Sequence, residues 1–208
     1  MIAIASFPPF LDALRRQPLL VVLRAEQPRQ LEPALAALDA MGLVHVEISW
    51  QPHPDWAIQC RALQQAHPRL RLGAASLCSP EAIRATAAAG LGYGVSPVLI
   101  PELWHEACRL DLALVPGVFT PTEVMQARQL GCPAVKLFPA ASLGSHYWSR
   151  LRRPLGALPF CIAAGGLAPH DVRPWLQAGV DAVALGGSLD RSGAMAELKA
   201  LISELRSR

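Results

Sequence analysis

Short apolar segments alternate with longer segments of helical periodicity along the whole chain. The apolar segments are too short for buried helices and are rich in Val, Leu, Ile and Ala, so they predict strands covered on both faces. The predicted strands span residues 19–24, 44–49, 70–76, 92–96, 112–116, 134–138, 160–164 and 182–185. This alternation is typical of βα units around a parallel sheet.

The segments between the strands predict eight helices, and their ends carry the expected signals. Pro follows Ser79, Thr120 and Ala168, where it fits the first turn of a helix, and Gly90 and Gly131 directly follow the first two of these helices as stop signals. The predicted helices span residues 31–41, 56–67, 80–89, 101–109, 121–130, 147–153, 169–178 and 193–205.

The same pattern predicts the fold class. Eight βα units predict an α/β protein with a closed (β/α)8 TIM barrel, and an open doubly wound sheet is the alternative. An extra N-terminal helix over residues 7–16 is expected to cap the bottom of the barrel. No linker or charge block divides the chain, so we expect residues 1–208 to form a single domain. In such a barrel, reacting groups lie at the carboxyl ends of the strands.

Composition excludes several classes of function. The chain is 52% hydrophobic and only 17% charged, which is typical of a globular protein with a sizeable core. Its net charge of +3 comes from scattered arginines without an aromatic-interleaved stripe, so nucleic acid is not an expected partner. Apolar runs are shorter than the ~20 residues that span a bilayer, and no signal peptide is recognisable. We therefore expect a soluble cytoplasmic protein that does not bind a membrane.

Cysteine and histidine give no sign of a cofactor. The five cysteines are an odd number without a C-x-x-C pair, so we expect all of them to be reduced packing residues. The six histidines are not spaced as ligands on one element, and no carboxylate cluster joins them. The sequence therefore predicts catalysis without a metal ion or another cofactor.

Lysine is nearly absent, because Lys136 and Lys199 are the only two among 19 basic residues. Lys199 lies in a predicted surface helix, whereas Lys136 interrupts the apolar strand Pro-Ala-Val-Lys-Leu-Phe-Pro. Burial favours the neutral amine, and only a primary amine condenses with a ketone, so Lys136 is a candidate Schiff-base nucleophile. The alternative is a structural lysine at the barrel mouth, or one that neutralises a bound phosphate.

Glu47 is the second unexpected charge inside a predicted strand. Period-2 alternation puts Val46 and Ile48 on one face and His45, Glu47 and Ser49 on the other. Because helices cover the outer face of a barrel, the apolar face should point outwards and Glu47 inwards. A carboxyl group beside Lys136 suits the proton transfers of Schiff-base chemistry. A buried salt bridge to Lys136 or Arg24 is the alternative.

Two glycine pairs follow the last two predicted strands, in Ala-Gly-Gly-Leu at residues 164–167 and in Leu-Gly-Gly-Ser at residues 185–188. Backbone N–H groups approach a phosphate closely where there is no Cβ, and barrels often bind phosphate in these two loops. Two pairs at matching positions favour a phosphorylated substrate.

Several motifs together are similar to those of a known family. In chain order they are Val-Glu-Ile-Ser, Gly-Ala-Ala-Ser, Val-Ser-Pro, Val-Pro-Gly-Val-Phe-Thr-Pro-Thr-Glu, Val-Lys-Leu-Phe-Pro-Ala, Ala-Gly-Gly-Leu and Leu-Gly-Gly-Ser. From about residue 19 to residue 189 this combination resembles the 2-keto-3-deoxy-6-phosphogluconate (KDPG) aldolase family. The most specific element is Val-Lys-Leu-Phe-Pro at residues 135–139.

The resemblance implies a class I aldolase. Lys136 would form the imine and Glu47 would be the general acid and base. The residues implied to bind substrate within these motifs are Pro97, Phe138, Gly165, Gly166, Gly187 and Ser188, the last four at the phosphate. Family members are typically homotrimers that produce pyruvate and glyceraldehyde 3-phosphate, and some also cleave 4-hydroxy-2-oxoglutarate.

Three positions depart from the family pattern. Gln51 stands where an arginine of the gluconate-type members holds the pyruvate carboxylate. Gly-Ala-Gly-Thr is Gly-Ala-Ala-Ser here, which keeps a hydroxyl at Ser76, and the threonine before the first glycine pair is Ala164. Gln51 looks more like the branch that acts on 6-phosphogalactonate, and Arg24 is then expected to supply the cation that Gln51 does not.

Two other functions remain open on the residues alone. One is a phosphosugar-binding barrel enzyme, an epimerase or a synthase, in which Lys136 acts only as a positive charge. The other is a phosphometabolite-binding protein without catalysis, for which an interior Lys and Glu are unnecessary.

Overall fold

The computed structural model describes residues 4–190 and 192–206, and the strands in these ranges form one parallel barrel. Neighbouring strands follow the order β5-β4-β3-β2-β1-β9-β8-β7-β6. The strands are β1 (Leu19–Leu23), β2 (His45–Ser49), β3 (Arg71–Ala75), β4 (Gly94–Val95), β5 (Leu114–Val115), β6 (Gly117–Val118), β7 (Ala134–Leu137), β8 (Phe160–Ala164) and β9 (Ala182–Leu185).

The fifth predicted strand, residues 112–116, is observed as two short strands on either side of Pro116. Pro116 has no backbone N–H with which to continue the ladder, although its carbonyl accepts a hydrogen bond from the backbone N–H of Lys136 (2.8 Å). β5 pairs with β4, and β6 pairs with β7. The two pieces together therefore close the sheet, which confirms the predicted TIM barrel rather than an open sheet.

Helices surround this barrel at nearly the predicted positions. They are α1 (Phe7–Arg16), α2 (Glu32–Ala40), α3 (Trp56–Ala66), α4 (Pro80–Ala89), α5 (Pro101–Arg109), α6 (Pro121–Gln129), α7 (Tyr147–Leu155), α8 (Val172–Gln177) and α9 (Ala194–Arg206). The helix predicted over residues 169–178 begins as a separate 3-10 turn, Pro169–Asp171, before α8.

Local sequence explains where the helices begin and end. The Ser79 hydroxyl accepts a hydrogen bond from the backbone N–H of Ala82 at the start of α4 (3.2 Å). At the start of α6, Thr120 and Glu123 form a reciprocal capping box. Gly90 ends α4 in the left-handed conformation, with φ +74°.

The N-terminal helix α1 covers the bottom of the barrel, as predicted. Phe10 and Leu14 of this helix are buried. The Phe10 ring stacks on Tyr93, with 4.3 Å between ring centroids, and lies edge-on to the ring of His45. The barrel interior is therefore sealed from below by an aromatic side chain.

The prediction that all five cysteines are packing residues is wrong for Cys78. Cys60, Cys132 and Cys161 are buried and Cys108 is half-buried, but Cys78 is exposed. Cys78 follows β3 in the loop before α4, so it lies beyond the barrel wall at the carboxyl-terminal mouth.

None of the helices in the described ranges has the length and hydropathy that a membrane-spanning helix requires.

Candidate active site

Lys136 points into the barrel from β7 and is almost completely buried. Its Nζ atom lies 4.9 Å from the centroid of the Phe138 ring. Desolvation lowers the pKa of the Lys136 ammonium, and the nearby Arg24 charge lowers this pKa further, whereas Glu47 opposes the shift. Lys136 therefore has a larger neutral fraction at physiological pH than a surface lysine has.

Glu47 lies inside the barrel on β2, as its strand pattern predicted, and its side chain has no exposure to solvent. Desolvation raises the pKa of Glu47 to about 7, although the charges of Lys136 and Arg24 oppose this shift. Neither carboxylate oxygen has a hydrogen-bond partner among the described residues. Glu47 therefore does not form the hydrogen-bonded salt bridge with Lys136 or Arg24 that was the alternative. With a pKa of about 7, Glu47 is able to take up and release a proton near neutral pH.

A pocket of about 150 Å³ opens above Lys136 at the carboxyl-terminal mouth. It brings together six of the predicted site residues, namely Arg24, Lys136, Phe138, Gly165, Gly166 and Gly187. The remaining lining residues are Val22, Ala164, Leu167, Ala184 and Gly186. The side chains of Arg24 and Lys136 thus share one small cavity with both glycine pairs.

The first glycine pair is required by close packing as well as by backbone conformation. Gly165 has φ +95°, and a Cβ there would lie 2.8 Å from the Phe138 ring. Gly166 has φ +79°, and a Cβ there would lie 2.8 Å from Cβ of Ala141. At Gly186, a Cβ would meet Nη1 of Arg24 at 3.4 Å. The bare backbone of these residues forms the wall that faces Arg24 and Lys136.

Five predicted site residues are absent from the described lining of this pocket: Glu47, which lies on β2 inside the barrel, and four others. Gln51 lines a neighbouring, more open cavity of about 450 Å³ that Arg24 also lines. Ser76, at the end of β3, has the unusual φ of +64°, and its hydroxyl accepts a hydrogen bond from the Ser49 hydroxyl (3.1 Å). Pro97 packs against the backbone of β6, and the side chain of Ser188 lies outside the described part of the structure.

Reasoning from the sequence assigned no role to Gly186, although this residue lines the pocket beside Arg24. The signal was present, because Gly186 belongs to the same pair as Gly187.

The described residues contain no group of three or more His, Cys, Asp or Glu side chains arranged to hold a metal ion.

Comparison with known proteins agrees with this geometry. A family model described as KDPG and KHG aldolase matches residues 11–200. The 2-dehydro-3-deoxy-6-phosphogalactonate aldolase of Escherichia coli is 29% identical over 181 residues, which are 86% of this chain and 88% of the relative. The 2-dehydro-3-deoxy-phosphogluconate aldolase of Pseudomonas aeruginosa is 31% identical over 169 residues, 80% of this chain and 76% of the relative.

A solved structure supports the same relationship. A structure described as native KDPGal superposes with a TM-score of 0.78 and 28% identity, over 91% of this chain and 94% of that protein. The family model covers most of the barrel, from the end of the N-terminal helix to the last helix, and so includes both Lys136 and Glu47. The chain therefore belongs to the KDPG and KHG aldolase family.

Proposed function

We propose that the protein is a class I aldolase that cleaves a 2-keto-3-deoxy-6-phospho-sugar acid to pyruvate and glyceraldehyde 3-phosphate. The observation that carries this proposal is the desolvated Lys136 amine at the floor of a glycine-walled pocket. The sequence relationship supports it, because relatives of this chain are named phosphogalactonate and phosphogluconate aldolases.

The chemistry begins at the Lys136 amine. The neutral amine adds to the C2 ketone of the substrate, and loss of water gives an iminium ion. The iminium accepts the electron pair of the C3–C4 bond as this bond breaks, while Glu47, through a water molecule, takes the proton of the C4 hydroxyl. Glyceraldehyde 3-phosphate leaves, the enamine is protonated at C3, and hydrolysis of the imine releases pyruvate and the free amine.

The two anionic ends of the substrate bind on either side of Lys136. Backbone N–H groups at Gly165, Gly166 and Gly187, together with Ser188, hold the phosphate. Arg24 lines both the glycine-walled pocket and the cavity beside Gln51, so its guanidinium is available to the carboxylate at the other end.

Ser76, Pro97 and Phe138 complete the proposed substrate-binding set. Gln51 in place of an arginine favours the phosphogalactonate type of substrate over the phosphogluconate type. The same amine chemistry extends to 4-hydroxy-2-oxoglutarate, which has a ketone and a hydroxyl at the corresponding carbons. We further propose that the chain forms one domain, assembles as a homotrimer and acts in the cytoplasm.

Trapping of the imine tests the proposed function. Incubation with pyruvate and sodium borohydride should reduce the imine to a stable secondary amine, and peptide mass mapping should find this adduct on Lys136. Lys199 in the same digest serves as an internal control and should remain unmodified. An enzyme that releases pyruvate from the phosphorylated substrate but leaves Lys136 unmodified would show that the lysine acts only as a charge.

Replacement of Gly165 by alanine is expected to weaken binding of the phosphorylated substrate. The new Cβ would lie 2.8 Å from the Phe138 ring and 3.0 Å from Cα of Pro139, so the pocket wall must shift. We expect KM to rise by about 10- to 100-fold, since small displacements of binding groups have effects of this size. Steady-state kinetics measure this change.

Gly90→Ala is the matched control for Gly165→Ala. Gly90 also has a positive φ, but nothing lies within 4 Å of the added Cβ. Gly90→Ala should lose about 1–2 kcal/mol of stability because alanine is strained in the left-handed region, and Gly165→Ala should lose at least as much because of the added contact with Phe138. Equal KM values in the two variants would contradict a specific role of Gly165 in the phosphate site.

A further inference from the structure

A cluster of polar side chains lies inside the barrel beneath the active-site pocket. Among the described residues, five buried side-chain atoms have no hydrogen-bond partner: both ring nitrogens of His45, both carboxylate oxygens of Glu47 and the hydroxyl of Tyr93. All three side chains are at most 1% exposed. Because buried polar groups are nearly always hydrogen-bonded, these atoms require partners.

Gly73 brings the phenol of Tyr93 next to Glu47. Gly73 lies on β3, between β2, which carries Glu47, and β4, which Tyr93 immediately precedes. Gly73 pairs in register with Glu47. A Cβ on Gly73 would lie 2.5 Å from Cζ of the Tyr93 ring, so the phenol occupies the space of the missing side chain. Paired residues on neighbouring parallel strands point to the same face about 4.8 Å apart, so the Tyr93 ring, in the place of a Gly73 side chain, lies beside Glu47, whose charge acts on the phenol.

His45 and Phe10 close this space from below. His45 precedes Glu47 by two residues and therefore points to the same face of β2. Its ring centroid lies 6.2 Å from that of Tyr93, and the Phe10 ring stacks against Tyr93 from the N-terminal helix. The Ala13 carbonyl lies near the His45 ring but outside hydrogen-bond geometry. The three polar side chains are thus enclosed together inside the barrel, with Phe10 packed against them.

A charged Glu47 carboxylate only accepts hydrogen bonds, so the protonation states of Tyr93 and His45 decide which of them can donate to it. Burial and the neighbouring Glu47 carboxylate raise the pKa of Tyr93 well above its usual value, so the phenol keeps its proton. Burial lowers the pKa of His45 to about 4, so its ring is neutral and offers one donor and one acceptor. The other charges that act on Glu47 are the cations Lys136 and Arg24, and the Cys78 thiol lies near Lys136.

We propose that Tyr93 is a positioning residue for Glu47, and that its hydroxyl donates to the carboxylate through a buried water molecule that His45 also contacts. This inference rests on the proposed function of Glu47. A buried water molecule usually makes about three hydrogen bonds, and the phenol, the carboxylate and the imidazole supply that number. A donor to the charged form stabilises the carboxylate, so Tyr93 lowers the proton affinity of Glu47 and fixes the position of its carboxylate.

Tyr93→Phe removes the hydroxyl and keeps the ring that packs on Phe10. We expect the pKa of Glu47 to rise by about one unit, since a hydrogen bond to a charged group has an effect of this order. The pKa is measured by NMR titration of the side-chain carboxyl signals in protein labelled with carbon-13 at glutamate, and the spectrum of Glu47→Gln assigns the signal. The acidic limb of the pH profile of kcat/KM should move to higher pH by the same amount, with little change in KM.

Tyr147→Phe is the matched control, because it removes the same atom from the only other tyrosine. The Tyr147 hydroxyl donates to the Phe119 carbonyl outside the barrel interior (2.8 Å). Neither the Glu47 pKa nor the pH profile should change in this variant. An unchanged Glu47 pKa in Tyr93→Phe, with the native circular dichroism spectrum, would overturn the proposal.

The titration separates this proposal from the proposed function, because it requires no catalysis. A raised Glu47 pKa in Tyr93→Phe, together with full activity of Glu47→Gln, would support the pairing and contradict the catalytic role of Glu47. An inactive Glu47→Gln enzyme with no pKa change in Tyr93→Phe would contradict the pairing and leave the catalytic role intact.

Discussion

Lys136→Arg is expected to lower kcat/KM by about 10⁴- to 10⁶-fold, the range seen when an enzyme loses its covalent nucleophile. Arginine keeps the positive charge and most of the length of lysine, but its guanidinium remains protonated and does not condense with a ketone. The substitution therefore separates the two functions that the sequence left open for this residue. Pyruvate release, measured with coupled lactate dehydrogenase, reports the loss, and borohydride should no longer attach pyruvate to residue 136.

Lys199→Arg provides the control, since Lys199 is exposed on α9 and is the only other lysine. This variant should have the activity of the parent enzyme. If Lys136→Arg kept activity within about tenfold of the parent, residue 136 would act as a charge and not as a nucleophile. Circular dichroism and urea unfolding of both variants show whether the buried guanidinium disturbs the barrel.

The barrel itself could be predicted because its signals are local. Most strand residues are apolar, and Pro and Gly mark several helix ends, so the predicted bounds lie close to the observed ones. The split of the fifth strand was missed because Pro116 resembles a strand end when only the local sequence is considered. Its carbonyl accepts a hydrogen bond from Lys136, a contact that appears only when β6 and β7 are adjacent.

The reacting pair could also be predicted, because buried charges are rare and therefore conspicuous. Lys136 and Glu47 each interrupt an apolar strand. The contribution of Tyr93 could not be predicted in the same way. It depends on the missing side chain of Gly73, which lets the ring of Tyr93, just before β4, cross β3 toward Glu47. Such an arrangement is a property of three adjacent strands and leaves no periodic signal in any one of them.

The sequence also could not predict the exposure and backbone conformation of residues at the barrel mouth. Cysteine is usually a packing residue, but Cys78 lies exposed in a loop. Ser76 adopts a positive φ that glycine usually occupies. Both residues follow β3, where the chain turns from the barrel wall toward α4. The local pattern identifies the end of the strand, but the path of the turn depends on contacts such as the Ser49–Ser76 hydrogen bond.

Glu47→Gln is expected to lower kcat by about 10²- to 10⁴-fold, the usual contribution of a positioned general acid or base. Glutamine has nearly the same shape but neither takes up nor releases a proton at the C4 hydroxyl or the enamine. In the parent enzyme, burial raises the Glu47 pKa to about 7, so kcat/KM should rise with pH through that value as the carboxylate forms. This limb should disappear in the variant, which a pH series of initial rates will show.

Glu106→Gln is the matched control for Glu47→Gln. Glu106 is also a buried carboxylate, but it lies on α5 and pairs with Arg84 and Arg109 on the outer surface of the barrel. Its replacement should change stability more than activity, and it should leave the pH limb in place. Glu47→Gln should still be trapped slowly by borohydride with pyruvate, because Lys136 remains. A Glu47→Gln enzyme with the parent kcat and the parent pH limb would assign both the proton transfer and the limb near pH 7 to another group.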